Sequence, residues 1–137
     1  MMKYLFDTNF CIAMLNKSLS QAAIQRLNEC LESGEGYCIS SLVLHELRYG
    51  IAYSQQVARN TERLRRLLES PLEVLTFSAE DGRMAAEIRA ELRRRGTPIG
   101  PYDLLIAGQA MARDLVVVTR NTREFGRVGG LKVEDWG

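Results

Sequence analysis

Leu115-Val116-Val117-Val118-Thr119-Arg120-Asn121 begins with four successive apolar residues, three of them valines, and turns polar at once. The β-branched content and the absence of alternation point to a strand covered on both faces, as in the interior of a parallel sheet. Parallel neighbours need helical crossovers, and the preceding sequence supplies them. Tyr102 to Arg113 reads as a helix with Pro101 in its first turn, behind the stiff loop Thr97-Pro98-Ile99-Gly100. Ser78-x-x-Asp81 opens a long helix that runs to Arg95-Gly96. Leu72 to Phe77 is a strand candidate, and the helix before it, from about Val57 to Glu69, stops at Ser70-Pro71. Tyr37 to Ser40 is a further strand. Ser41 is placed to cap the helix that follows, which carries Leu42, Leu44, Glu46, Leu47 and Tyr49 until Gly50 loosens it. Ser18-x-x-Gln21 fits a capping box for a helix ending near Ser33-Gly34. Lys3 to Phe6 is the first strand, and Asp7-Thr8-Asn9 turns it into a helix from about Phe10 to Leu15; Leu131 to Val133 adds a short edge strand. Strands separated by helices predict an α/β three-layer domain, with a mainly parallel central sheet flanked by helices and one domain spanning residues 1–137.

Composition narrows the function classes. A chain of 137 residues with 46% apolar content has material for one core. Eighteen Lys and Arg against 17 Asp and Glu leave a net charge of +1, so bulk charge neither requires nor excludes a nucleic-acid partner. The runs Arg93-Arg94-Arg95 and Arg63, Arg65, Arg66 either meet phosphates or form solvated helix faces beside Glu62, Glu87 and Glu91. Cys11, Cys30 and Cys38 stand in apolar contexts without a CxxC pair, as reduced buried thiols do. The opening Met1 to Asp7 is too short and too soon charged for a signal peptide, and no apolar run reaches the ~18 residues of a membrane span, so a cytoplasmic location is expected.

Polar clusters stand directly behind apolar elements at Asp7, Glu46, Asp103 and Thr119-Arg120-Asn121 to Glu124. A carboxylate just past a buried strand lies where open parallel sheets form their crevice, so acids distant in sequence can meet there. Converging carboxylates hold hard cations, which makes a divalent-metal phosphodiesterase the working hypothesis. Asp7 alone also suits a helix cap, and Asp103 a helix dipole. Asp103, however, shares a helical face with Ile106, Ala107 and Ala110, the side that should pack on the sheet.

Phe6-Asp7-Thr8-Asn9, Ser40-Ser41-x-x-x-x-Glu46-Leu47-x-Tyr49-Gly50, Pro101-Tyr102-Asp103-x-x-Ile106-Ala107 and Val118-Thr119-Arg120-Asn121-x-x-Glu124-Phe125 resemble, in order and spacing, the motifs of PIN-domain ribonucleases. Arg127-Val128-Gly129-Gly130-Leu131 to Glu134-Asp135-Trp136 resembles the tail of VapC toxins of type II toxin–antitoxin systems. The resemblance covers nearly the whole chain. It implies Asp7, Glu46 and Asp103 as ligands of Mg²⁺, with Mn²⁺ as substitute, and Asn121 as the fourth catalytic position, where many PIN domains have aspartate. Either Asn121 or Glu124 completes the site; Thr8, Asn9 and Thr119 support it or serve local turns. Three carboxylates give −3 against +4 for two divalent ions, which favours one firmly held ion, a second arriving with RNA. Such a site would hydrolyse RNA with metal-activated water, leaving a 5′-phosphate and a 3′-hydroxyl.

The resemblance further implies a homodimer, a small VapB-like antitoxin as inhibitor, and tRNA as substrate, with the initiator tRNA anticodon stem-loop foremost. Arg93, Arg94, Arg95 and Tyr102 are the candidate RNA contacts; Phe10, Tyr49 and Tyr53 either stack on bases or pack on the protein. His45, the one histidine, is given no role. A phosphoryl-receiver domain would need an acidic pair at Asp7 and a lysine where Arg120 stands, and an aspartyl phosphatase would need a second aspartate where Asn9 stands. A non-catalytic metal-binding or protein-interaction domain, or a PIN nuclease of RNA processing, is the alternative.

Overall fold

Tyr4, Leu5 and Phe6 of β1 (Met2–Phe6) and all of β4 (Val116–Val118) are buried, as the unbroken apolar runs require. The computed structural model describes residues 1–137. Strands β2 (Gly36–Ser40), β3 (Glu73–Leu75) and β5 (Lys132–Glu134) complete a sheet of order β3-β2-β1-β4-β5 in which every neighbouring pair is parallel. The helices are α1 (Thr8–Leu15), α2 (Gln21–Ser33), α3 (Ser41–Tyr53), α4 (Val57–Glu69), α5 (Ala79–Arg94), α6 (Pro101–Arg113) and the short α7 (Thr122–Phe125). From β1 the chain steps outward to β2 and β3, then returns across β1 to β4 and β5. Right-handed crossovers therefore put α1 to α4 on one face and α5 to α7 on the other. The reversal falls between β1 and β4, so the turns that leave these two strands diverge and open a crevice at their C-terminal ends.

The core is one cluster centred on the sheet. Phe6 lies 4.5 Å from Phe10 and 5.5 Å from Trp136, ring centre to ring centre, which joins β1, α1 and the C-terminal segment. Arg26 of α2 locks that segment: its guanidinium donates to the Tyr4 hydroxyl and to Glu134 and covers the Trp136 ring. Cys11, Cys30 and Cys38 are buried free thiols, and burial pushes Cys38 up to about 12. No helix is long and apolar enough to cross a membrane.

The structure moves several expected boundaries. Ser20, not Ser18, caps α2 by accepting from the Ala23 N–H at 3.0 Å, while Gly34 ends that helix at φ 77°, a left-handed angle suited to glycine. Ser40, not Ser41, caps α3, because the Ser41 hydroxyl accepts from the Phe77 N–H at 3.0 Å. The same bond explains why β3 stops at Leu75: Phe77 bonds to a side chain instead of a strand. Helix α3 runs through Gly50 to Tyr53, and α7 was not foreseen.

Candidate active site

Asp7 follows β1, and its backbone N–H still donates to the Val118 carbonyl at 3.3 Å, which holds the two diverging strand ends together. One carboxylate oxygen of Asp7 accepts from the Phe10 N–H at 2.9 Å and caps α1. The other accepts from the Thr119 hydroxyl at 2.5 Å. Asp7 is thus a helix cap and also a member of the acidic crevice. It is only 6% exposed, and burial pushes its carboxyl above the usual range; Thr119 and Phe10 pull it back, while the charge of Glu46 adds to the rise. Thr119 is itself fixed, because its Oγ1 accepts from the Asn121 N–H at 2.9 Å. Both ends of the switch point are therefore tied through one buried hydroxyl.

Glu46 comes from α3, half-buried, and accepts from the Thr8 hydroxyl at 2.7 Å. Asp103 sits in the first turn of α6, where Pro101 starts the helix and Gly100 leads into it. Burial, then a hydrogen bond and the charge of Glu124, then the charge of Asp7, push the Asp103 carboxyl up to about 6. Glu124 from α7 moves the other way. The Asn121 amide and the Gly100 N–H donate to it and hold it below its usual range. A proton shared by this pair therefore resides on Asp103.

Asn121 meets the acids through its amide nitrogen, 3.2 Å from Asp103 Oδ2 and 2.5 Å from Glu124 Oε2. In this geometry it donates to two carboxylates and offers them no ligand oxygen. Glu124 also takes the Gly100 N–H at 2.8 Å, so β4, α7 and the start of α6 are clasped together. That role of Gly100 escaped sequence reasoning; the signal available was the Pro98-Ile99-Gly100-Pro101 loop beside Asp103.

Asp7, Glu46, Asp103 and Glu124 thus influence one another across one crevice, but no three of them close into a finished cage. Glu46 is held by Thr8, and Asp103 and Glu124 by Asn121. The donor chemistry fits a hard divalent cation all the same. Every donor is carboxylate oxygen, and the burial that lifts Asp7 and Asp103, with the repulsion of their acidic neighbours added to it, is what a cation among them would offset.

The remaining expected residues divide. Thr8 and Thr119 bond directly to acids, whereas Asn9 is exposed and lines a small cavity with Phe10 and Trp136. Phe10 belongs to the core. Arg94 and Arg95 both pair with Glu91, and Arg95 also donates to the Arg127 carbonyl; Arg93 is exposed and in no ion pair. Tyr102 is 39% exposed, with its ring stacked toward His45 at 6.3 Å.

The sequence profile of the PIN domain matches residues 4–131. The chain is 45% identical, over 99% of each sequence, to the tRNA(fMet)-specific endonuclease VapC of Shigella flexneri. Among solved structures it is similar to DNA-bound VapBC from Salmonella typhimurium, with TM-score 0.90, 43% identity and 100% of both chains covered. It is likewise similar to VapBC2 from Rickettsia felis bound to a promoter DNA fragment, with TM-score 0.89, 37% identity and 100% of both chains covered. With fold, motif order and full-length similarity in agreement, the chain belongs to the PIN-domain family, in its VapC branch.

Proposed function

We propose that this chain is a metal-dependent endoribonuclease, the toxin of a toxin–antitoxin pair, acting as one PIN domain over residues 1–137. The observation that carries the reading is the set of carboxylates Asp7, Glu46, Asp103 and Glu124 turned toward one crevice at the switch point of a parallel sheet. Mg²⁺, or Mn²⁺ in its place, would be held by Asp7, Glu46 and Asp103, and when bound supplies the Lewis acidity that activates water and offsets charge at a scissile phosphate.

The chain's own residues do the rest. Phe10 N–H and Thr119 fix both oxygens of Asp7, so its orientation is set before any ligand arrives. Thr8 orients Glu46 in the same way. Asn121 and Glu124 hold Asp103, which loses its proton only as pH rises through about 6. The nearby hydroxyls, Thr8 and Thr119, are engaged as donors to carboxylates, and the Cys11 thiol is buried with its pKa pushed up by burial, so none of these three is poised as a nucleophile. In this reading water, not the RNA 2′-hydroxyl, is the attacking group, and the products carry a 5′-phosphate and a 3′-hydroxyl.

The identity to a tRNA(fMet)-specific endonuclease supports tRNA, and initiator tRNA first, as substrate. The likeness to VapBC assemblies supports a VapB-like antitoxin as partner, and the same reading carries a homodimeric toxin acting in the cytoplasm. For RNA contacts, Arg93 is the free cation of its cluster, and Tyr102 stands next to Asp103. The decisive experiment is Asp7→Asn, which keeps the cap geometry and removes the charge. Cleavage of initiator tRNA should fall by about 10²-fold or more while the circular dichroism spectrum stays native. Wild-type rates in the folded variant would sink the mechanism, and mapping the cut ends checks the products.

A further inference from the structure

Helix α3 does more than deliver Glu46. His45, Tyr49 and Tyr53 recur every four residues and so lie along one stripe of that helix, beside the face that carries Glu46. Tyr49 is 64% and Tyr53 82% exposed, and their rings are nearly parallel, 6.1 Å apart at 10°. At the other end of the stripe, His45 faces Tyr102 at 6.3 Å and 26°, and Tyr102 directly precedes Asp103. Two aromatic pairs, Tyr102 with His45 and Tyr49 with Tyr53, therefore follow one another from the residue before Asp103 out along α3, over about 12 Å from His45 to Tyr53 at the helical rise per residue. Arg48, exposed and in no ion pair, flanks the row.

Single exposed aromatics are ordinary on a protein surface, and an aromatic pair one turn apart supports a helix only slightly. Neither explains a row of rings that starts at the candidate catalytic acids and leaves its largest members open to solvent. The geometry points to a substrate subsite: Tyr102, His45, Tyr49 and Tyr53 form a stacking track for unpaired bases on one side of the scissile phosphate, with Arg48 meeting the backbone. The occupant is single-stranded RNA, an inference that rests on the ribonuclease reading above. Flat faces with polar edges suit bases, which offer a π-face whatever their identity, and continuity with the acids fixes which nucleotides are reached. Base-paired RNA keeps its faces buried in the helix and cannot use the track. The subsite accordingly selects loops and splayed ends over stems.

The test compares wild type with two double variants, Tyr49→Leu with Tyr53→Leu and Tyr49→Phe with Tyr53→Phe. Leucine keeps apolar area and loses the ring, whereas phenylalanine keeps the ring and loses the hydroxyl. The probes are a short single-stranded RNA carrying a fluorescent base analogue, titrated in EDTA so that nothing is cut, and a duplex of the same length. Wild type and the phenylalanine pair should quench the base and bind alike; the leucine pair should bind the single strand about tenfold or more weakly, and the duplex unchanged. Equal single-strand binding by the leucine pair, with wild type cutting tRNA normally in metal, overturns the track and leaves the ribonuclease intact. A change in molecular mass of the leucine pair by light scattering would mark the row as a protein interface and also overturn it. If wild type neither binds nor cuts RNA, the ribonuclease reading falls first and the track with it.

Discussion

Asn121 stands where an acid would add a further charge to the crevice, and its amide instead donates to Asp103 and Glu124. Substituting Asn121→Asp removes two hydrogen bonds and adds a carboxylate to a site whose members already repel one another. Affinity for Mn²⁺ or Mg²⁺ should rise by about tenfold or more, and the metal-free protein should melt at lower temperature. Calorimetric titration and a thermal scan in EDTA check the two halves; unchanged affinity would move the fourth position to Glu124. Asp7 and Asp103 were legible in the sequence because each follows or begins an element whose apolar pattern fixes its direction, and Glu46 because it lies within a helix between Leu42, Leu44 and Leu47. The donor role of Asn121 was not, since an amide can present oxygen or nitrogen and its neighbours decide which. The clasp of Glu124 on the Gly100 N–H joins residues 24 apart in sequence, beyond any local pattern.

Helix α6 carries Asp103, and its position depends on how closely it lies against α5. Gly108 makes the crossing possible: a Cβ added there would stand 2.5 Å from Ala85 Cβ and 2.7 Å from the Ala85 backbone. Gly108→Ala gains helix propensity but overpacks a backbone contact, so a net loss of about 1–3 kcal/mol is expected. The displaced helix should also lower cleavage activity. Adding Ala85→Gly should recover part of both, and denaturant titration of the single and double variants measures the recovery. At the far end of α5, Arg93 is the cation with no carboxylate partner, whereas Arg94 and Arg95 are engaged with Glu91. Arg93→Ala should flatten the log–log salt dependence of RNA binding by roughly 0.7 to 0.9, and the other two by less. A slope unchanged in the Arg93 variant would return the cluster to a solvated helix face. Apart from the short α7, helix existence and order were readable from period and punctuation, down to the Ser78–Asp81 capping box. The α3 cap, one residue before the expected serine, was not: which of Ser40 and Ser41 faces the helix depends on where Phe77 lies, a tertiary fact.

Over the whole molecule, acidity and metal act on the same buried carboxylates. Asp103 is pushed up to about 6 by burial and by its acidic neighbours, and Asp7 is also raised, against an ordinary value of 3.8. A carboxyl whose folded pKa exceeds its unfolded one binds its proton more tightly when folded. Its stabilising effect is complete below about pH 4 and is lost as pH rises through about 6. Asp81 has the opposite sign. Burial raises it, but Arg113 and Ser78 outweigh burial and hold it below its usual range, so its contribution is present at neutral pH and lost on strong acidification. The metal-free protein should therefore melt at higher temperature as pH falls from about 7.5 to about 5, then at lower temperature below about 4. Mn²⁺ or Mg²⁺ bound there would offset the same buried charge, and at about 100 times its Kd would add about 2.7 kcal/mol of stability. At about pH 5 the ion must first displace the Asp103 proton, so the gain should shrink. Melting temperatures across a pH series in EDTA and in Mn²⁺ decide the matter. A metal-induced rise of equal size at both ends of the series would mean that the ion binds somewhere other than among Asp7, Glu46 and Asp103.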